Sequence, residues 1–435
     1  MRLKIAVLGA GRVGTTIAAA LLRAGFEVTV ADTNANRIDA IKKGVKIFRD
    51  EPMVNEVLVE SIGNTLTATA DAAEAVSQSR VVIIAVPVGL NAGEADFTYL
   101  LQAARDIARS LNKQSLVILE TSVPPGTTRN VLKREIESIS KLKAGEDFML
   151  SYSPERISEG RALADLEENY PKIVSGIDNK SLDEVSALYS KVARKGIIRM
   201  SSLEAAEAAK LFEGVYRDTN IALANELASF CEKIGLDYWE IMNAANSQPY
   251  SHLHKPGAGV GGACIPVYPV FVTRLAEKEG ESLQLVKTAR KINESQPLKI
   301  AKEAANLSGL KDGDKVAVLG LSFRGDVADD RLSPAYTIAS YFAKRKAKVV
   351  VQDPLAEPSL NSENFLFTRS VEEALKNAKL VVIATDHSQY KELGIAGLRR
   401  MNPDAFVYDA RAVFRNRAQS DARTHIIGIG KGKQT

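Results

Sequence analysis

Residues 3–8 (Leu-Lys-Ile-Ala-Val-Leu) form a short apolar run, and a glycine-rich turn, Gly9-Ala-Gly11-Arg-Val-Gly14, follows it at once. Such a run reads as a buried parallel strand. The pattern from Thr15 to Ala24 reads as a helix, with Gly25 as its stop. A second strand is expected at 26–31, and Asp32 stands at its end, eighteen residues after Gly14. Further strands are expected at 81–86, 116–119 and 147–150, separated by helical patterns around 98–110 and 127–140. Strand–helix alternation of this kind gives an α/β fold with a doubly wound sheet.

A chain of 435 residues is too long for one ordinary core. Residues 202–234 are rich in Ala, Glu and Leu, lack Pro and read as one long helix. Its apolar positions (Leu203, Ala206, Leu211, Val215, Ile221, Leu223, Leu227) do not keep to one stripe, which implies burial on several sides. A Gly/Pro-rich stretch at 256–269 and more helix to about 307 follow. A second α/β pattern opens at Val316-Ala-Val-Leu-Gly320, with strands expected at 348–352, 380–384 and 405–409. The expected organisation is an α/β domain at 1–200, a helical middle able to pack a dimer at 201–308, and a second Rossmann-like domain at 309–435. The last dozen residues are expected to be partly disordered.

The formal net charge of +4 is small for this length, and no stretch forms a basic arm, so no nucleic-acid partner is expected. No apolar run reaches the roughly 20 residues that span a bilayer. Met1 leads straight into a strand, so no signal peptide is expected. Two cysteines, Cys231 and Cys264, suit a reducing compartment. A cytoplasmic protein without membrane partner or metal is expected.

The opening motif has a mechanical meaning. Gly9 permits the tight turn, Gly11 lets the backbone approach a pyrophosphate, and Gly14 lets helix and strand pack closely. The helix N-terminus offers amide donors to the phosphate. Asp32 can accept from both ribose hydroxyls and would repel a 2′-phosphate, so the expected cofactor is NAD rather than NADP. Arg12, Val13, Val86 and Pro87 complete the expected cofactor contacts.

Four later segments share their order with one family. They are Glu120-Thr-Ser-Val-Pro-Pro-Gly-Thr127, Ser153-Pro-Glu-Arg-Ile-Ser-Glu-Gly160, Ala208-Ala-Lys-Leu-Phe-Glu with Asn225-Glu226, and Gly257-Ala-Gly-Val-Gly-Gly-Ala-Cys-Ile-Pro266. A fifth runs Leu319-Gly-Leu-Ser-Phe-Arg-Gly-Asp-Val-Ala-Asp-Asp-Arg-Leu-Ser-Pro334. Together they resemble the UDP-glucose/GDP-mannose dehydrogenase family over almost the whole chain. Ser153-Pro-Glu-Arg156, Arg217–Glu226 and His254-Lys-Pro-Gly257 bring it nearest to the branch acting on UDP-N-acetylhexosamines, with UDP-N-acetyl-D-mannosamine as the first candidate sugar. UDP-glucose and UDP-N-acetylglucosamine are the alternatives.

The resemblance implies a four-electron oxidation of sugar C6 to a carboxylate with two NAD, serving polysaccharide or glycan synthesis, in a homodimer or larger homo-oligomer. It implies that Cys264 traps the aldehyde as a thiohemiacetal that becomes a thioester. Lys210 would steady negative charge on the substrate oxygen, and Glu155 would assist proton transfer. Ser122, where the family usually has Thr, would hold a water or the nicotinamide side. Glu159, His254, Gly257 and Gly261 are the expected substrate-loop residues. Phe323, Arg324 and Arg331 match positions around the UDP, the first as a stacking face and the arginines as phosphate partners. Cys231 is assigned to packing, and Asn225 and Glu226 to fastening the middle.

Three positions depart from the family pattern. Gly214 replaces an Asn, Tyr268 replaces an Asp, and Tyr250 follows Pro249 where an Arg is usual. Either the roles are redistributed, or turnover stops early, or the protein binds nucleotide sugar without oxidising it. A hydroxyacid dehydrogenase would account for the N-terminal half, but not for the second α/β pattern or the Cys264 motif.

Overall fold

The computed structural model describes residues 2–360, 364–415 and 426–431. The chain divides into two compact units, one of residues 1–213 with 270–280 and one of 214–269 with 281–435. Residues expected to form a separate helical middle are therefore shared between the two.

The first unit holds an eight-stranded sheet in the order Ile197–Arg199, Lys172–Gly176, Met149–Tyr152, Leu116–Leu119, Val81–Ile84, Lys4–Leu8, Glu27–Ala31, Leu66–Thr69. From Met149–Tyr152 to Leu66–Thr69 every pairing is parallel. Lys172–Gly176 reverses direction and pairs antiparallel with Met149–Tyr152. The central strands Lys4–Leu8, Val81–Ile84 and Leu116–Leu119 are almost wholly apolar because both of their faces are covered. Ile5, Val7, Val28, Val30, Val81 and Ile83 pack on one side, whereas Ala6, Leu8, Val82, Ile84, Val117 and Leu119 pack on the other.

The second unit holds a six-stranded, all-parallel sheet, in the order Leu366–Thr368, Lys348–Gln352, Lys315–Leu319, Leu380–Ile383, Phe406–Asp409, Ile426–Gly428. Numbered within the sheet this is 3-2-1-4-5-6, the doubly wound order with its switch point beside the first strand.

Several elements differ from the sequence reading. The expected helix at 127–140 opens as a π-helical turn, Thr128–Leu132, before Lys133–Ser140 continues as α-helix. The end of the chain, expected to be partly disordered, carries the edge strand Ile426–Gly428, and Trp239 Nε1 donates to the Ile429 carbonyl at 2.8 Å. The rest of that last dozen, residues 424–425 and 432–435, lies outside the described residues. The long helix is Leu203–Ile234, and its burial is uneven: Leu203, Ala206 and Leu211 are buried, but Leu223 is exposed. Among the described residues no helix is long and apolar enough to cross a membrane.

Candidate active site

In the first unit the glycine turn is built as its residues require. Gly9 has φ 111°, and its N–H donates to the Ala31 carbonyl at 2.7 Å, tying the turn to the second strand. A Cβ on Gly14 would overlap the Gly9 carbonyl oxygen. A Cβ on Gly11 would meet nothing within 4 Å. The helix Arg12–Arg23 starts directly behind Gly11 with no side-chain cap, so its first amides face the open side of the turn. This cradle fits a pyrophosphate. Asp32 accepts from the Ala10 N–H at 2.6 Å and the Asn34 N–H at 2.7 Å, and its side chain stays 13% exposed. Val86 follows the strand Val81–Ile84, with Pro87 exposed beside it. Thr121 Oγ1 donates to the Val86 carbonyl at 2.6 Å, which brings the loop of Ser122 to that strand end.

Arg12 does something the glycine motif does not announce. Its guanidinium lies 2.9 Å from Asp50, 3.5 Å from Glu51 and 3.3 Å from Glu159, and over the Phe48 ring. Burial disfavours its charge, but these carboxylates more than reverse that and raise its pKa. Glu51 also accepts from the N–H groups of Gly160 and Ala162. The loop carrying Glu159 is thus anchored on the residue that opens the cofactor helix.

Glu155 is buried, and its carboxylate accepts from the Ile157 N–H. The loop under it rests on a buried group absent from the sequence reading. Lys172 Nζ reaches Glu120 at 2.6 Å and the Pro154 carbonyl at 3.1 Å, while the Tyr189 hydroxyl donates to Glu120. Burial pushes the Glu120 carboxyl pKa up, against the pull of Lys172 and Tyr189. Lys210 is buried in the long helix. One turn earlier, Glu207 accepts from the N–H of Gly126 at 2.5 Å, and from the N–H and hydroxyl of Thr128 at 2.8 and 2.6 Å. Burial raises the Glu207 pKa to about 7 despite those donors. Glu207 therefore ties the Ser122 loop to the helix of Lys210.

In the second unit the glycine loop folds against the 323–332 segment. A Cβ on Gly261 would lie 2.7 Å from both the Leu332 carbonyl oxygen and Phe323 Cβ. The Gly262 N–H donates to the Arg331 carbonyl at 2.8 Å. The Gly257 N–H donates to Asn225 at 2.9 Å, and Gln296 donates to the Gly257 carbonyl, so Asn225 fastens this loop. Cys264 is exposed and not in a disulfide, whereas Cys231 is buried among apolar side chains. Phe323 is half-buried, Arg324 is exposed, and Arg331 is gripped by Asp329 with its side chain 57% exposed. His254 is half-buried, edge-on to the Tyr216 ring, and burial beside Arg217 and His252 lowers its pKa. Tyr250 is 95% exposed.

The described residues thus group Gly9, Gly11, Arg12, Val13, Gly14, Asp32, Val86, Pro87, Ser122, Glu155, Glu159 and Lys210 in the first unit, and His254, Gly257, Gly261, Cys264, Phe323, Arg324 and Arg331 in the second. The sequence reading missed Glu120, Lys172, Tyr189, Glu207, Asp50 and Glu51. A lysine at the head of a strand, as at Lys172, reads as surface, so the sequence carried no signal for this group.

Residues 3–193, 204–295 and 317–416 match, in turn, the NAD binding domain, central domain and UDP binding domain of the UDP-glucose/GDP-mannose dehydrogenase family. A UDP-N-acetyl-D-mannosamine dehydrogenase of Pyrococcus horikoshii is 32% identical over 99% of this chain and 100% of that protein. A solved structure of the UDP-D-ManNAc dehydrogenase from that organism has a TM-score of 0.89 at 31% identity, covering 99% and 100% of the two chains. A UDP-glucose dehydrogenase from Pyrobaculum islandicum also reaches 0.89, at 25% identity over 100% and 98%.

Proposed function

The chain belongs to the UDP-glucose/GDP-mannose dehydrogenase family, and from that premise we propose that it oxidises UDP-N-acetyl-D-mannosamine at C6 to the uronate, for polysaccharide or glycan synthesis. At the coarser level it is an NAD-dependent UDP-sugar dehydrogenase. The sugar rests on the full-length similarity to enzymes of that name. The observation that carries the chemistry is the exposed Cys264 thiol at the end of a glycine loop packed on Phe323 and the Arg331–Leu332 backbone.

The helix amides behind the open Gly11 turn would hold the pyrophosphate of NAD and Asp32 its ribose, and two NAD, bound one after the other, would each accept one hydride. Cys264 adds as thiolate to the C6 aldehyde, its sulfur–carbon bond forming as the carbonyl oxygen takes the charge. Lys210 steadies that oxygen. Loss of the second hydride leaves a thioester on Cys264. Water then attacks, the carbon–sulfur bond breaks, and acid and thiol are released, with Glu155 moving the proton and Ser122 holding the water or the nicotinamide side. His254, Gly257, Gly261 and Glu159 shape the sugar site, Phe323 stacks on the base, and Arg324 and Arg331 meet the diphosphate. UDP-glucose is the second reading, favoured by the equal TM-score of the Pyrobaculum islandicum enzyme.

Cys264→Ala is expected to stop uronate formation, followed by mass spectrometry of the product. Undiminished uronate would remove Cys264 from the mechanism. The reaction belongs in the cytoplasm, where reducing conditions keep such a thiol available. The protein acts as a homodimer through its long helix, along which Tyr216, Leu223, Phe230 and Ile234 are 52%, 42%, 57% and 48% exposed at spacings near two helical turns and one. A monomer by light scattering at micromolar concentration would contradict the dimer.

A further inference from the structure

Gly214 and Tyr268, two departures from the family pattern that lie 54 positions apart, touch each other inside the second unit. Gly214 is buried within the helix Leu203–Ile234. A methyl group there would lie 2.5 Å from Tyr268 Cδ2 and 3.2 Å from its Cβ and Cγ. Tyr268 is only 6% exposed, which leaves its ring little room to swing aside. A helix interior disfavours glycine against alanine, so the position holds glycine for room. Tyr268 is also the first residue of the helix Tyr268–Lys278, and its N–H donates to the Cys264 carbonyl at 3.0 Å, as does that of Val267.

We propose that Tyr268, wedged against Gly214, is a positioning residue for the Cys264 thiol, and that the two residues form one interlocked pair. The ring fixes the first helical residue after the turn, and that residue's N–H fixes the backbone of Cys264. The proposal rests on the reading of Cys264 as nucleophile. On this account the two departures are a single exchange of shape: the ring fills the room that a side chain at 214 would need.

The test is a double-mutant cycle in the full-length protein with Gly214→Ala, Tyr268→Ala and both together. The readouts are the rate of Cys264 alkylation by iodoacetamide, followed on its own peptide, and kcat with the UDP-sugar the unaltered protein oxidises fastest. A displacement on the order of 1 Å costs a reacting group up to about a hundredfold. Gly214→Ala is therefore expected to change both readouts at least about tenfold, with the KM for NAD unmoved. In the Tyr268→Ala background the same substitution is expected to change them less than about twofold. Equal effects in the two backgrounds, or none in either, overturn the proposal. Tyr268→Phe keeps the wedge and decides the matter even where Gly214→Ala does not fold. Alkylation within about twofold of the unaltered protein supports the wedge, and a change of about tenfold assigns the role to the hydroxyl and overturns it. Uronate formation surviving in Cys264→Ala would remove the nucleophile reading alone, because the alkylation cycle still decides the pair.

Discussion

In both sheets a glycine of positive φ follows the first strand in chain order, Gly9 at 111° and Gly320 at 98°. Each donates its N–H to the second strand at 2.7 Å, to the Ala31 and Gln352 carbonyls. The next residue then donates to a carboxylate at the end of that strand, Ala10 to Asp32 at 2.6 Å and Leu321 to Asp353 at 2.7 Å. Beyond this point the halves part. Behind Gly9 the helix starts at Arg12, and Asp32 keeps an exposed edge. Behind Gly320 the helix waits until Pro334, and Asp353 is fully buried. Asp353 accepts from the Ser322 N–H and hydroxyl, the Leu355 and Ala356 N–H groups and His387. The same opening geometry therefore leaves an open cradle in one half and makes an internal brace in the other. What decides between them is whether the carboxylate is left open and whether the helix begins at once.

The largest effect that separates the halves should come from Asp353→Ala. It strands several buried donors together, and breaking such a group costs about 3–5 kcal/mol. The expected result is early denaturation and lost hydrogen-exchange protection in Lys315–Leu319; unchanged protection there would refute the brace.

Next in size is an opposition in pH dependence. Burial pushes the Asp353 carboxyl up, but His387 and the Ser322 and Leu355 amides outweigh it and hold it at about 2. Its contribution is present above the unfolded carboxylate range and fades as pH falls through about 2. Glu207, raised by burial to about 7 from an ordinary 4.5, has the reverse sign. The folded protein holds that proton more tightly, so its contribution is full below pH 4.5 and is lost as pH rises through about 7. The span is at most about 3 kcal/mol. Glu207→Gln should flatten the fall in denaturation midpoint between pH 5 and 8; an unaltered slope would move the titration elsewhere.

The smallest effect on stability should be that of Asp32→Ala, about 1 kcal/mol for its two amide acceptor bonds. Its cost falls on the cofactor instead. NAD affinity should drop about ten- to a hundredfold, or about 1.4–2.8 kcal/mol, and discrimination against NADP should narrow. Calorimetric titration with both nucleotides checks this, and unchanged NAD binding would place the ribose elsewhere.

Local pattern carried much of this molecule. The strands Leu116–Leu119 and Lys348–Gln352 and the helix Thr98–Ser110 fall where apolar runs and helical spacing place them. The glycine turn with Asp32 needed only one βαβ unit to be recognised. What the sequence concealed depends on partners far along the chain. The strand Lys172–Gly176 begins with a lysine and reads as surface until Glu120, 52 residues earlier, is placed against it. Arg12 looks like a filler of the glycine motif until Asp50 and Glu159 reach it. Gly214 and Tyr268 read as two separate departures from the family pattern, and only packing shows that they meet.

The central claim, that one sugar gives up two hydrides by way of Cys264, is tested most directly by stoichiometry. Purified protein is incubated with excess NAD and a limiting amount of UDP-N-acetyl-D-mannosamine, and NADH is counted against uronate by absorbance and mass spectrometry. The account predicts two NADH for each sugar consumed. One NADH per sugar with aldehyde accumulating, or no NADH with any UDP-hexose, would contradict it.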